Sequence, residues 1–221
     1  PTTGPLKTIA GKEDGSIAGY RSAYEKRSEV ARPGYYAVHL TDYDIHVETT
    51  AAPHSGAIRF TFPEHQQSRI QIDLARRVGG TAVQQYVRKV DDYTIQGWMR
   101  CTPEGGGWGD GEGKADYTVY FFARFDKPLQ QFGFWRADIP ADWSRKRDDV
   151  TSLPYLKHVE QATIIRDRDE LTGDHLGFFT EFATQTGEAV VLKVGLSFVD
   201  LQGAERNFLA EVGQKTFDQI R

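Results

Sequence analysis

Apolar side chains recur at every second position in ten short runs of this chain, a spacing that restricts it to β-structure. Val190, Leu192, Val194, Leu196 and Phe198 share one face of one run. Ile58, Phe60 and Phe62 mark a second, and Ile70, Ile72 and Leu74 a third. Successive side chains of a strand point to opposite faces, so period two is the trace of a half-buried strand. The other runs cover residues 35–40, 45–47, 81–90, 93–99, 117–125, 131–137 and 176–183. Within 117–125 both faces are apolar, Val119, Phe121, Ala123 and Phe125 against Tyr120 and Phe122, which predicts a central strand covered on both sides. Phe60, Phe62, Ile70, Ile72, Leu192, Val194 and either Phe121 or Phe122 are the expected core. Pro33-Gly34, Pro53-His54-Ser55-Gly56, Gly79-Gly80, Asp91-Asp92, Lys127-Pro128 and Thr186-Gly187 punctuate the runs as turns. Strands joined in this way predict an all-β fold, a large two-sheet antiparallel β-sandwich.

Three stretches depart from the rhythm. Residues 1–34 are polar and turn-rich. Residues 103–116 hold six glycines and read as a long loop, and 139–157 read as a charged loop. Near the end the period changes: Leu201, Ala204, Phe208, Leu209 and Val212 fit a short helix, with Asp200 as its N-cap. The expected organisation is a sandwich over 1–199, incomplete at its N-terminal edge, and the start of a helical linker over 200–221. The chain begins at Pro1, its only methionine is Met99, and Ile220-Arg221 carries no capping residue, so a piece of a longer protein is expected. No apolar run is long enough for a transmembrane helix. The absence of a leader pattern at Pro1 says nothing about export.

Lysine and arginine number 27 against 31 acidic residues, a net charge of −4 that argues against a general nucleic-acid or polybasic membrane binder. A single cysteine, Cys101, excludes an intrachain disulfide and a cysteine zinc cluster. No two of His39, His46, His54, His65, His158 and His175 stand at a metal-ligating spacing on one helix or strand. His46 and Glu48 share a strand face, which reads as two ligands or as a solvated polar face. The segment Gly195-Leu196-Ser197-Phe198-Val199 lacks the second glycine of a nucleophile elbow, and Gly105-Gly106-Gly107 opens no helix to cradle a phosphate. Asp110, Glu112 and Asp116 offer oxygen ligands for calcium or simply lie in a glycine-rich loop. No carboxylate pair stands out as a glycosidase acid and base. Trp98 and Trp135 lie in strand-like runs and are expected in the core. Trp108 has no core to enter, so it covers another surface, a substrate or a neighbouring domain.

Several segments taken together resemble a known family. They are Glu29-Val30-Ala31-Arg32-Pro33-Gly34-Tyr35-Tyr36-Ala37-Val38, Asp42-Tyr43, Glu48-Thr49-Thr50-Ala51 and Arg59-Phe60-Thr61-Phe62-Pro63, with Leu192-Lys193-Val194-Gly195-Leu196-Ser197-Phe198-Val199 and Asn207-Phe208-Leu209-Ala210-Glu211 at the far end. The set is similar to the N-terminal β-sandwich of glycoside hydrolase family 92, the calcium-dependent exo-acting α-mannosidases. The resemblance implies a partner that follows in the same protein, an (α/α)6 catalytic domain reached through a helical linker. The acid, the base and the calcium ligands would belong to that domain, and this chain would carry no catalytic residue and no metal ligand. Alone it would be inactive; its loops would shape a pocket for a mannose-containing glycan at the domain interface. The implied location is secreted, periplasmic or cell-surface. Lys26, Glu29 and Trp108 are the candidate substrate-binding residues. The family pattern Ser-x-Phe-x-His-x-x-Glu is met here by Ser22, Tyr24 and Glu29, but Lys26 stands in place of the histidine. A full positive charge there favours an anionic group, such as the phosphate of a mannose-phospho-mannose cap, unless the lysine is merely solvated. A non-catalytic carbohydrate-binding or structural sandwich is the alternative.

Overall fold

The computed structural model describes residues 1–12, 14–76, 79–107, 116–138 and 153–221. Trp108, Asp110 and Glu112 lie outside the described residues. Along the chain run the strands β1 (Thr2–Thr3), β2 (Val30–Arg32), β3 (Tyr35–Leu40), β4 (Ile45–Ala51), β5 (Ser55–Phe62) and β6 (His65–Asp73). Next come β7 (Gly79–Lys89), β8 (Thr94–Gly107), β9 (Tyr117–Phe125) and β10 (Gln131–Arg136). Helix α1 (Leu153–Glu160) precedes β11 (Thr163–Ile165), β12 (Glu170–Gly173), β13 (Leu176–Thr184) and β14 (Glu188–Ser197), and the chain closes with α2 (Leu201–Glu211) and α3 (Phe217–Ile220). Among the described residues these form two antiparallel sheets, one of five strands in the order β1-β6-β13-β10-β11 and one of nine in the order β12-β7-β8-β9-β14-β5-β4-β3-β2.

The core between the sheets is built from the alternating residues. Ile45, Phe60, Phe62, Ile70, Val87, Ile95, Phe125, Phe134, Phe178 and Leu192 are buried in one cluster, with Ile72 and Val194 partly buried against it. Strand β9 is covered twice. Phe121 and Ala123 face the core, while Phe122 turns outward onto Ala204, Phe208 and Val212 of the C-terminal segment, its ring 5.1 Å from that of Phe208. Asp200 caps α2 by accepting from the Gly203 amide. At the other end of α2 the Lys193 ammonium donates to the carbonyls of Val212, Gly213 and Lys215 at 3.1, 2.8 and 3.1 Å, satisfying acceptors that a helix end leaves open.

The structure corrects several expectations. The glycine-rich stretch is partly strand: β8 extends to Gly107, which pairs with Gly79. Backbone pairing needs no side chain, and the facing strand carries glycines of its own. The charged loop ends in α1, whose Leu156 and Val159 bury against Ile9 and Ala137. Trp135 is fully buried, but Trp98 is only half-buried and sits on the outer face of β8. Ile95 already faces the core from β8, so alternation turns Trp98 away from it. The apolar stripe of β14 outruns the sandwich, leaving Leu196 42% and Phe198 71% exposed.

On the smaller sheet Gly177 faces the indole of Trp135. A Cβ at Gly177 would lie 1.8 Å from Trp135 Cζ2, and Trp135, fully buried and stacked on Phe179, has nowhere to move. Gly177→Ala is therefore expected to destabilise the chain by about 1–3 kcal/mol through overpacking. A thermal melt checks it, and an unchanged midpoint would mean that the indole has an alternative seat.

Candidate functional site

The N-terminal segment runs along the outer side of β6, whose Arg69, Gln71 and Asp73 point outward at every second position. Gln71 Nε2 donates to the Lys7 carbonyl at 3.0 Å, and Tyr20 Oη donates to Asp73 Oδ2 at 2.7 Å. Between these anchors the chain doubles back. The Lys12 amide donates to Ile17 O at 2.9 Å, the Tyr20 amide to Ile9 O at 2.8 Å and the Arg21 amide to Ala10 O at 3.2 Å. The two legs approach backbone to backbone at Gly11 and Gly19, where a Cβ on Gly19 would fall 2.1 Å from the Gly11 nitrogen. Only glycine permits that approach.

The returning leg is then tied to the turn between β3 and β4. The Ala23 amide donates to Asp42 Oδ2 at 3.0 Å and the Asp42 amide to Ser22 Oγ at 3.1 Å. The Thr41 amide and hydroxyl both reach the Ala23 carbonyl at 3.0 Å, and Tyr43 Oη reaches Gly19 O at 3.1 Å. The result is a cleft of about 800 Å³ lined by Lys7, Lys12, Arg21, Tyr24, Asp42 and Tyr43. Among the described residues three cations face one carboxylate, and one oxygen of that carboxylate is already engaged by the backbone. Such a lining can bind and orient an anionic or hydroxyl-rich group, and among the described residues it holds no acid–base pair of carboxylates.

Lys26 and Glu29 lie just beyond Tyr24, on and after a single 3-10 turn, Lys26–Ser28. They are brought together as an ion pair, and Tyr36 Oη donates to Glu29 Oε1 at 2.7 Å. The bonds from Lys26 and Tyr36 hold the Glu29 carboxyl below the usual range, and the bond to Glu29 pushes the Tyr36 phenol up to about 12. The Lys26 side chain is 86% exposed and stands outside the cleft lining. The cleft's own cations, Lys7, Lys12 and Arg21, were invisible to sequence reasoning, because only the doubling back of the chain unites them.

Register also places His39 directly opposite His46, with His39 Nε2 3.1 Å from Asp44 Oδ1. Glu48 is engaged elsewhere: Arg59 grips both its oxygens, Nε to Oε2 at 2.6 Å and Nη2 to Oε1 at 2.8 Å, and Tyr35 Oη adds a third bond at 2.8 Å. Arg59 also reaches Asp218 of α3 at 3.2 Å and lies 4.3 Å over the Phe217 ring. Among the described residues no three His, Cys, Asp or Glu side chains converge as metal ligands, so these residues do not fit a calcium ion.

Residues 1–197 match the glycosyl hydrolase family 92 N-terminal domain. Among solved structures the chain is similar to the family GH92 alpha-mannosidase BT3965 from Bacteroides thetaiotaomicron, with a TM-score of 0.78 and 31% identity over 100% of this chain and 26% of that one. The same enzyme in complex with mannoimidazole gives a TM-score of 0.78 and 31% identity over 100% of this chain and 25% of that one. The family GH92 inverting mannosidase BT2199 from Bacteroides thetaiotaomicron VPI-5482 shares the fold, with a TM-score of 0.65 and 16% identity over 90% of this chain and 22% of that one. The chain thus spans about a quarter of the length of these solved proteins. No curated protein matches it.

Proposed function

The chain belongs to the glycosyl hydrolase family 92 N-terminal domain family, and on that premise we propose that it is the N-terminal sandwich of an exo-acting α-mannosidase. In this reading it shapes the substrate pocket at the interface with a C-terminal (α/α)6 catalytic domain. The observation that carries the reading is the 31% identity, over the whole chain, to an alpha-mannosidase of which this chain covers only 26%. The exposed apolar strip supports it. Phe198 and Val199, 71% and 76% exposed, stand at the entry to α2, beside a groove of about 280 Å³ that includes Met99, Val119 and Leu196. A surface of this kind is suited to a partner domain. The enzyme would act outside the cell, on mannose-containing glycans met in the periplasm, at the surface or in the medium.

Calcium, held by the catalytic domain, would supply a Lewis acid for sugar hydroxyls. This chain's part is binding and orientation. Lys7, Lys12 and Arg21 would face an anionic link such as the phosphate between two mannoses, with Lys26, Glu29 and Trp108 as further substrate contacts. The 221-residue chain is expected to release no mannose from any α-mannoside, with or without calcium, and turnover by it would overturn the assignment of the reacting groups to another domain. In the full-length protein Lys26→Ala should lower kcat/KM about tenfold on a mannose-phospho-mannose substrate and leave a neutral mannobioside unaffected. Equal small effects on both substrates would show that Lys26 is only solvated.

A further inference from the structure

Helix α2 lies chiefly over β14 and β9, on the outer face of the larger sheet. Past the helix that face continues across β8 and β7, where the register sets three aromatic residues in one cross-strand row. Tyr120 of β9 is directly opposite Trp98 of β8, and Trp98 is directly opposite Tyr86 of β7. Directly opposed residues share a face. The Tyr86 and Trp98 rings are stacked, 6.0 Å apart and inclined by 28°, and Tyr86 Oη is anchored on Glu170 Oε2 of β12 at 2.8 Å. All three aromatics are only half-buried. Exposed Arg88 and Arg100 flank the row two residues along their strands from Tyr86 and Trp98, one on each side.

We propose that this row is a second glycan-binding site, a flat platform separate from the cationic cleft, on which pyranose rings stack. The C–H face of a pyranose is apolar and matches an aromatic π face, while its edge is ringed by hydroxyls that both donate and accept. The platform supplies both halves of that chemistry: a donor in Arg100, with Arg88 on the other side held by the Gln96 side-chain oxygen at 2.9 and 3.0 Å, and an acceptor in the Glu170 carboxylate. Arg100 has no side-chain acceptor of its own among the described residues. Aromatic rows on sheets also stack nucleobases, but the Glu170 carboxylate at the end of the row, opposite Arg88, and the net charge of −4 oppose a polyanion. That the sugar is a mannoside rests on the function proposed above; the platform itself does not.

Affinity electrophoresis of the 221-residue chain tests this in gels cast with yeast α-mannan, with laminarin as a β-glucan and with oligo(dT) as a single-stranded nucleic acid. The α-mannan gel is expected to retard the wild type. Trp98→Ala should weaken that retardation about tenfold, Trp98→Phe should restore most of it, and Glu64→Gln, an exposed change between β5 and β6, should leave it unchanged. Should Trp98→Ala fail to fold, as read by circular dichroism, Arg100→Ala is the second variant, expected to weaken retardation several-fold. Retardation by laminarin but not by mannan would keep the platform and remove the mannoside reading. Absence of retardation by either glycan, wild-type binding by folded Trp98→Ala, or retardation by oligo(dT) alone would overturn the proposal.

Discussion

Arg69→Ala is expected to cost about 3–5 kcal/mol of stability, because it leaves a buried carboxylate with half of its neutralising charge. The Arg69 side chain is 1% exposed. It ion-pairs with Glu181 across the β6–β13 pairing, donates to Thr2 Oγ1 at 3.2 Å and reaches the Gly4 carbonyl at 2.9 Å. One side chain thus neutralises a carboxylate and fastens β1 to the sheet. Burial alone would raise the Glu181 carboxyl, but its bonds to Arg69 and Arg166 outweigh that and hold it below the usual range. Arg166 also reaches Glu181, at 2.6 Å, but with a side chain 48% exposed it is not expected to replace the buried fork. Urea unfolding checks the figure, and a loss below about 1 kcal/mol would show that Arg166 suffices.

Glu48 governs the second large effect, which is a dependence on acid. The fork from Arg59 lowers its carboxyl, burial opposes, and Tyr35 adds to the lowering, leaving it at about 2 against an ordinary 4.5. A carboxyl lowered on folding contributes stability that is complete above the unfolded value and is lost as pH falls through the folded one. The window therefore runs from about 4.5 down to about 2, and the contribution at stake is on the order of 3 kcal/mol. Glu48→Gln should remove that part of the slope between those limits. Parallel stability–pH curves for the two proteins across the window would show that Glu48 is not differentially charged on folding.

Period two was sufficient for the ten longer strands and for the double covering of β9, because a buried face leaves its mark on every second residue. It was blind to β1, β2, β11 and β12, which span two to four residues and hold no full period. It also could not tell which end of a strand a facing sheet would cover, so the β14 stripe read as buried through Phe198. Trp98 misled for a related reason: membership of a strand does not fix the face, and an indole on the outer side looks the same in the sequence. The ion pair of Lys26 and Glu29 was within reach of local spacing. The cleft was not, since Lys7 and Asp42 meet only through the crossing at Gly11 and Gly19.

The placement of β13 and β14 bears on how the protein comes off the ribosome. Both belong to the last quarter of the chain, separated by a short turn, yet each enters the interior of a different sheet: β13 between β6 and β10, β14 between β9 and β5. Until these two strands have emerged, the smaller sheet exists only as the pairs β1–β6 and β10–β11 and the larger one as two unconnected halves, each piece with an open edge at what will become the middle. Neither layer can close early. Synthesis of the sandwich must therefore carry four unpaired edges until β13 and β14 emerge, and the two sheets are expected to close in one cooperative step once both strands are free.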